Sequence, residues 1–161
     1  MREVHDARTL LQRFAAQLRC ALDAGIGLKL ELPAEAAHCR VDAGELESVL
    51  TELARRVSSV MPREGVLRLK AERRAALPAE LLVPSTTEHA PHGWLALSVG
   101  STQADTPDLR WPVKSPRADL ARFVRDTRSA LSVRPLDGRG ADIVLYLPCA
   151  GDAATAGAVP G

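Results

Sequence analysis

Between Ile26 and Leu32 the chain alternates strictly, with Ile26, Leu28, Leu30 and Leu32 separated by Gly27, Lys29 and Glu31. A period of two sends the apolar side chains to one face of an extended strand and the charged ones to the other. From Asp42 the period changes. Leu46, Val49, Leu50, Leu53, Val57 and Val60 recur every three or four residues, which makes one apolar stripe on a helix. Asp42 is its N-cap, and Glu45 completes a capping-box spacing. Met61-Pro62 ends it. A strand with one dry face beside a helix with one dry stripe is the raw material of a two-layer α+β sandwich.

The remaining elements follow from the same signals. Val4, Leu11, Phe14, Leu18 and Leu22 predict an opening helix over the first 22 residues, broken by Gly25 and Gly27. Pro62-Arg63-Glu64-Gly65 reads as a turn before a strand over Val66–Ala71. From Ala75 to Gly93 the chain turns to Pro, Ser, Thr and His, which predicts an irregular excursion. Trp94–Val99 returns to strand alternation, with Leu95, Leu97 and Val99 on one side, and Gly100–Val113 reads as a loop. Ser115-Pro116 opens a third helix, with Leu120, Phe123, Val124 and Thr127 facing inward. Two closing strands, 131–135 and 142–147, flank the hairpin signal Asp137-Gly138-Arg139-Gly140. The expected order is helix, strand, helix, strand, strand, helix, strand, strand: one mixed sheet with about three helices on one face. The domain is expected to end at Pro148, with 149–161 as a flexible tail or linker.

Composition narrows the classes of function. Aromatics are 3% of the chain, so the core must come from Leu, Val and Ala, and a base-stacking surface for single-stranded nucleic acid is disfavoured. With 21 basic residues against 20 acidic ones, nothing points to DNA or to an anionic membrane. Apolar runs are too short to span a bilayer, and the opening Met-Arg-Glu-Val-His-Asp lacks the core of a secretory signal. Cys20, Cys39 and Cys149 are widely spaced and odd in number, which reads as reduced thiols in a cytoplasmic protein rather than zinc ligands.

The stretch from Asp42 to Leu69, with its Leu-rich helix, Met-Pro stop, Gly65 and following strand, resembles the asparagine-box region of sensor histidine kinases. Trp94–Asp105 sits where that family's first glycine box follows a strand. Gly138-x-Gly140 with Ile143-Val144-Leu145-Tyr146-Leu147-Pro148 is similar to its closing strand. The resemblance runs from Val4 to Pro148 and implies a histidine kinase-like (Bergerat-type) ATPase fold.

It also marks where the chemistry departs. The family's helix Asn, a ligand of the Mg²⁺ that bridges the ATP phosphates, is matched by Arg56. A guanidinium offers no lone pair to a hard dication. Glu52 stands one turn earlier and Ser59 replaces a downstream Asp. The adenine-reading Asp is matched by Ser101, and the glycines that need close backbone approach fall on Gln103 and Asp105. The second glycine box corresponds to Ser115-Pro116-Arg117, where Pro116 removes a donor that a phosphate cradle would use. The lid between the boxes is short. Glu52, Arg56, Ser59, Ser101, Gln103, Asp105, Ser115 and Arg117 thus mark a vestigial nucleotide site with no catalytic residue and no metal assigned.

Other residues have a sharp reading and a plain one. Glu52 and Arg56, at i and i+4, are either a relic general base with a neighbour or an intrahelical ion pair in the favoured orientation. His5-Asp6-Ala7-Arg8-Thr9-Leu10-Leu11 resembles a phosphoacceptor box, yet stands where the ATP domain's own first helix belongs. His89 and His92, near Glu88, would need further ligands to hold a metal. Asp119, Arg122, Arg125, Asp126 and Arg128 form a charged helix face, either simply wet or a docking surface.

The leading expectation is a two-component signalling domain, a pseudokinase of histidine kinase-like fold. It would work without a cofactor, through contact with kinase dimerisation helices or a response-regulator receiver domain, and without nucleic-acid or membrane contact. The alternatives are a divergent working domain that binds Mg·ATP, and a phosphotransfer adaptor.

Overall fold

A computed structural model describes residues 3–21, 25–58, 65–81, 84–85, 90–101, 118–135 and 141–150. In chain order they form β1 (Glu3–Asp6), α1 (Ala7–Ala21), β2 (Gly27–Glu31), β3 (His38–Val41), α2 (Ala43–Ser58), β4 (Val66–Arg74), β5 (Trp94–Ser101), α3 (Ala118–Asp126), β6 (Ala130–Pro135) and β7 (Ala141–Pro148). Five strands make one mixed sheet in the order β2-β4-β5-β7-β6. β2 and β4 are parallel, joined by a crossover through β3 and α2, and every other pairing is antiparallel.

Alternation decides what each face meets. Leu67, Leu69 and Ala71 of β4, Leu95, Leu97 and Val99 of β5, and Ile143, Leu145 and Leu147 of β7 share one core with the three helices. Onto it α1 sets Leu11, Phe14 and Leu18, α2 sets Leu46, Leu50, Leu53 and Val57, and α3 sets Phe123 and Val124. Leu11, Phe14 and Leu18 of the first expected stripe, Leu46, Val49, Leu50, Leu53 and Val57 of the second, and Phe123 and Val124 of the third are buried, while Thr127 is half-buried. Asp42 caps α2 as its sequence implies, its Oδ1 accepting from the Glu45 amide at 3.0 Å. Lys29 lies exposed on the opposite side of β2 from Leu28 and Leu30.

Two short strands depart from the expected order. Residues 3–6 are a strand rather than the first turn of α1, so Val4 pairs with Arg40 of β3 and leaves the helix stripe. The cause is local: Asp6 is an N-cap, and its Oδ2 accepts from the Thr9 amide at 3.4 Å and the Thr9 hydroxyl at 3.2 Å. β4 and β5 also run further than their apolar alternation suggested, to Arg74 and to Ser101. Beyond Pro148 the backbone stays bonded: the Cys149 amide donates to Gly93 at 2.9 Å and the Ala150 amide to His38 at 2.7 Å. Leu22, Val60, Met61-Pro62, the Asp137–Gly140 hairpin, the opening of the third helix and residues 151–161 lie outside the described residues.

The second face of the sheet is also covered. Trp94, Ala96, Ala130, Val144 and Tyr146 form a second apolar cluster, and Leu77, Leu81 and Ala90 of the β4–β5 connection pack against it. Among the described residues of that connection none is in a helix or strand beyond Arg74; Leu77, Leu81 and Ala90 rest on the sheet, while Ala75, Ala76, Pro78, Ala79 and Glu80 stay exposed. Ser85 fastens it to the end of α3 by donating to the Arg128 carbonyl at 2.7 Å.

Among the described residues two adopt left-handed backbone, with opposite consequences. Gly93 has φ 81°, and a Cβ there would meet the Arg74 carbonyl oxygen at 2.8 Å. Gly93→Ala is expected to lower stability by about 2 kcal/mol, read from urea midpoints. Arg128 has φ 58° where α3 ends, with the Arg128 amide donating to Arg125 at 3.2 Å and the Ser129 amide to Val124 at 2.9 Å. That is a Schellman end, a position that favours glycine. Arg128→Gly is expected to raise stability by about 1 kcal/mol in the same assay.

Candidate functional site

α2 carries packing and chemistry on neighbouring faces. Leu53, Ala54 and Val57 are buried, while Glu52 and Arg56 flank them half-covered, their side chains 14% and 25% exposed. Glu52 Oε1 lies 3.6 Å from Arg56 Nη2, and Glu52 Oε2 accepts from Arg55 Nη1 at 3.2 Å. Each carboxylate oxygen therefore faces a guanidinium. The ion-pair reading of Glu52 and Arg56 is the one the geometry supports, and Arg55 is a partner the sequence pattern did not single out.

Ser101 ends β5 on the helix-bearing face, in step with Leu95, Leu97 and Val99, and is buried at 1% exposure. Its backbone pairs with Ala141 of β7. Glu52, Arg56 and Ser101 thus all belong to the helix side of the sheet. Ser59, Gln103, Asp105, Ser115 and Arg117 lie outside the described residues. Between α2 and α3 runs a groove of about 280 Å³, lined by Glu45, Ser48, Val49, Arg122, Phe123 and Asp126. Arg122, Arg125, Asp126 and Arg128 are exposed, as a charged helix face requires.

The histidines are placed differently from their sharpest readings. His5 belongs to β1, opposite Cys39 of β3, so it is not a helix-borne imidazole, and Asp6 is spent on capping α1. His92 contributes its carbonyl to Arg73 Nη2 at 2.9 Å, and Glu88 and His89 lie outside the described residues. Among the described residues no three His, Cys, Asp or Glu side chains are grouped to hold a metal ion. Among them, too, no helix is long and apolar enough to cross a membrane.

One charged contact gave no local signal in the sequence. Arg68, Gly100 and Asp142 form one rung across β4, β5 and β7. Because Gly100 has no side chain, the Arg68 guanidinium crosses β5 and donates from Nη2 to Asp142 Oδ2 at 2.8 Å. Asp142 is fully buried, and Glu31 Oε2 stands 3.8 Å from Arg68 Nε. This bridge fixes the second face of the sheet just before β5 leaves it at Ser101. Arg68→Ala takes a charged hydrogen-bond donor from a buried carboxylate and is expected to cost about 3 kcal/mol in urea unfolding, against less than about 1 kcal/mol for exposed Arg55→Ala.

A mixed five-stranded sheet, three helices on one face and the β2–α2–β4 crossover define the Bergerat-type α/β sandwich of histidine kinase ATP-binding domains. Solved structures agree. The catalytic domain of the histidine kinase ThkA superposes with a TM-score of 0.67 at 12% identity, covering 92% of this chain and 96% of that one. The ATP-binding domain of PrrB from Mycobacterium tuberculosis gives 0.66 at 17%, covering 93% and 98%. The mycobacterial sensor histidine kinase MprB gives 0.63 at 14%, covering 92% and 98%. No family model matches the sequence, and no curated protein matches it either. The likeness is one of fold, reached at identities where side chains are free to differ.

Proposed function

We propose that this chain is a signalling domain of histidine kinase-like ATPase fold that acts through protein contact and does not bind Mg·ATP in the family manner. The observation that carries the reading is the cluster on α2. Arg56 stands where the resemblance places the metal-ligating Asn, and Glu52 lies between Arg55 and Arg56. A guanidinium has no lone pair to offer a hard dication, whereas the Asn of the resemblance would present an oxygen. Buried, uncharged Ser101 adds to the case, since a hydroxyl accepts more weakly than the Asp it replaces when an adenine amino group is to be read.

Solved domains of this fold include those of the histidine kinase ThkA and the sensor histidine kinase MprB, which supports dimerisation helices or a receiver domain as the partners to test. Arg122, Arg125 and Asp126 on α3 are exposed and offer such a partner charged contacts. The His5 phosphotransfer reading loses its support, because a β1 residue paired with β3 lacks the helical setting that reading requires.

Thermal melting with and without Mg·ATP tests the proposal. Ligand at a hundred times its dissociation constant adds about 2.7 kcal/mol, a shift of several degrees for a domain of this size. The expected result is an unchanged midpoint at millimolar Mg·ATP. A clear rise that Arg56→Glu or Ser101→Ala abolishes would overturn the proposal and establish a divergent working ATP-binding domain.

A further inference from the structure

Cys39 and Cys149 are far apart in sequence, yet an isolated antiparallel bridge sets them opposite each other. The hydrogen bond of that bridge runs from the Ala150 amide to the His38 carbonyl at 2.7 Å. It flanks the two cysteines instead of joining them, which makes them a non-hydrogen-bonded pair. In that register the Cα atoms lie about 4.5 Å apart, with both side chains on one side. A disulfide spans Cα separations of about 4.4–6.8 Å. Both thiols are free, and both enter the same apolar cluster.

Their access differs. Cys39 is 1% exposed, whereas Cys149 lines a surface pocket of about 350 Å³ together with His38, Arg73 and His92. Arg73 is held at that pocket by the carbonyls of Ala36 and His92, at 3.4 and 2.9 Å. Burial pushes the Cys39 thiol up to about 12, with Cys149 and then Asp6 adding to the rise. Burial also raises Cys149, but the Arg73 charge pulls it partly back toward the thiolate. At 7% exposure against 1% for Cys39, and beside a cation, Cys149 is the sulfur that a small oxidant meets first.

We infer that Cys149 is a site of oxidative modification by hydroperoxides, and that Cys39 resolves the oxidised sulfur into a disulfide joining the end of β7 to β3. In the first step the Cys149 thiolate attacks a peroxide oxygen. The O–O bond breaks, a sulfenic acid forms, and the leaving hydroxide takes a proton to become water. In the second, the Cys39 sulfur attacks the Cys149 sulfur. An S–S bond forms, the S–O bond breaks, and the departing hydroxide leaves as water with the Cys39 proton. Two thiols lose two electrons in all, and one hydrogen peroxide becomes two waters. The product ties the β1–β3 ladder covalently to the five-stranded sheet, and a dithiol reverses it.

The experiment treats the Cys20→Ser protein with hydrogen peroxide in its native state, so that only two thiols remain to be counted. The expected product is about 2 Da lighter, has no thiol titratable in denaturant, and yields a Cys39–Cys149 linked peptide on non-reducing digestion. Its melting midpoint should rise by on the order of 10 °C and return with dithiothreitol. In the Cys20→Ser, Cys39→Ser variant, oxidation should stop at a Cys149 sulfenic acid that dimedone traps. If both thiols survive, or if Cys149 proceeds to sulfinic acid while Cys39 stays free, the inference is overturned. The linked peptide decides the matter even if the second variant fails to fold, and neither readout depends on nucleotide binding.

Discussion

β5 is buried on both faces over all eight of its residues, and the rest of the structure answers to that constraint. A central strand dry on one side alone could be covered by helices and leave the other side to water. Here Leu95, Leu97 and Val99 demand helices above, while Trp94 and Ala96 demand cover below. The β4–β5 connection supplies the lower cover through Leu77, Leu81 and Ala90, so residues outside any helix or strand are part of the packing. Gly93 turns the chain from that cover into β5, which is why its left-handed backbone and its closeness to Arg74 matter. At the other end Gly100 lets the Arg68–Asp142 bridge pass across the strand. The two glycines bracket β5, one for its backbone and one for its missing side chain.

Legibility in the sequence followed the range of the interaction. α2 could be read because its cap, its stripe and its length are all local and agree with one another. The parity of β5 was legible for the same reason, although alternation alone showed only the face toward the helices. β1 and β3 were not legible. They are four residues each, they pair with one another across α1 and β2, and the switch from β1 to α1 falls at Asp6, whose capping role is visible only with Thr9 in place. The cover over the second face was hidden by composition, since Leu77, Leu81 and Ala90, set among Pro, Ser, Thr and His, do not make a period. The Arg68–Asp142 and Cys39–Cys149 contacts depend on strand register between distant segments, which no local pattern encodes. At the candidate site the Glu52–Arg56 pair was readable as an i,i+4 spacing. Arg55 joining Glu52 is a matter of rotamer, which spacing does not fix.

The separation of fold from chemistry is visible within one turn of α2. Leu53, Ala54 and Val57 are fully buried and hold the helix to the sheet, while Glu52 and Arg56 flank them and pair with each other. A substitution at 53 or 57 opens a cavity and costs several kcal/mol, whereas one at 56 acts first on the ion pair. Residues of the second kind can therefore change while the sandwich persists, and identities of 12–17% with a shared fold are what that division produces. Fold similarity to ATP-binding domains consequently carries little weight about ATP itself. The weight rests on the groups that flank the apolar stripe, where Glu52 faces the guanidiniums of Arg55 and Arg56, because binding chemistry is set by such side chains and not by the stripe that holds the helix down.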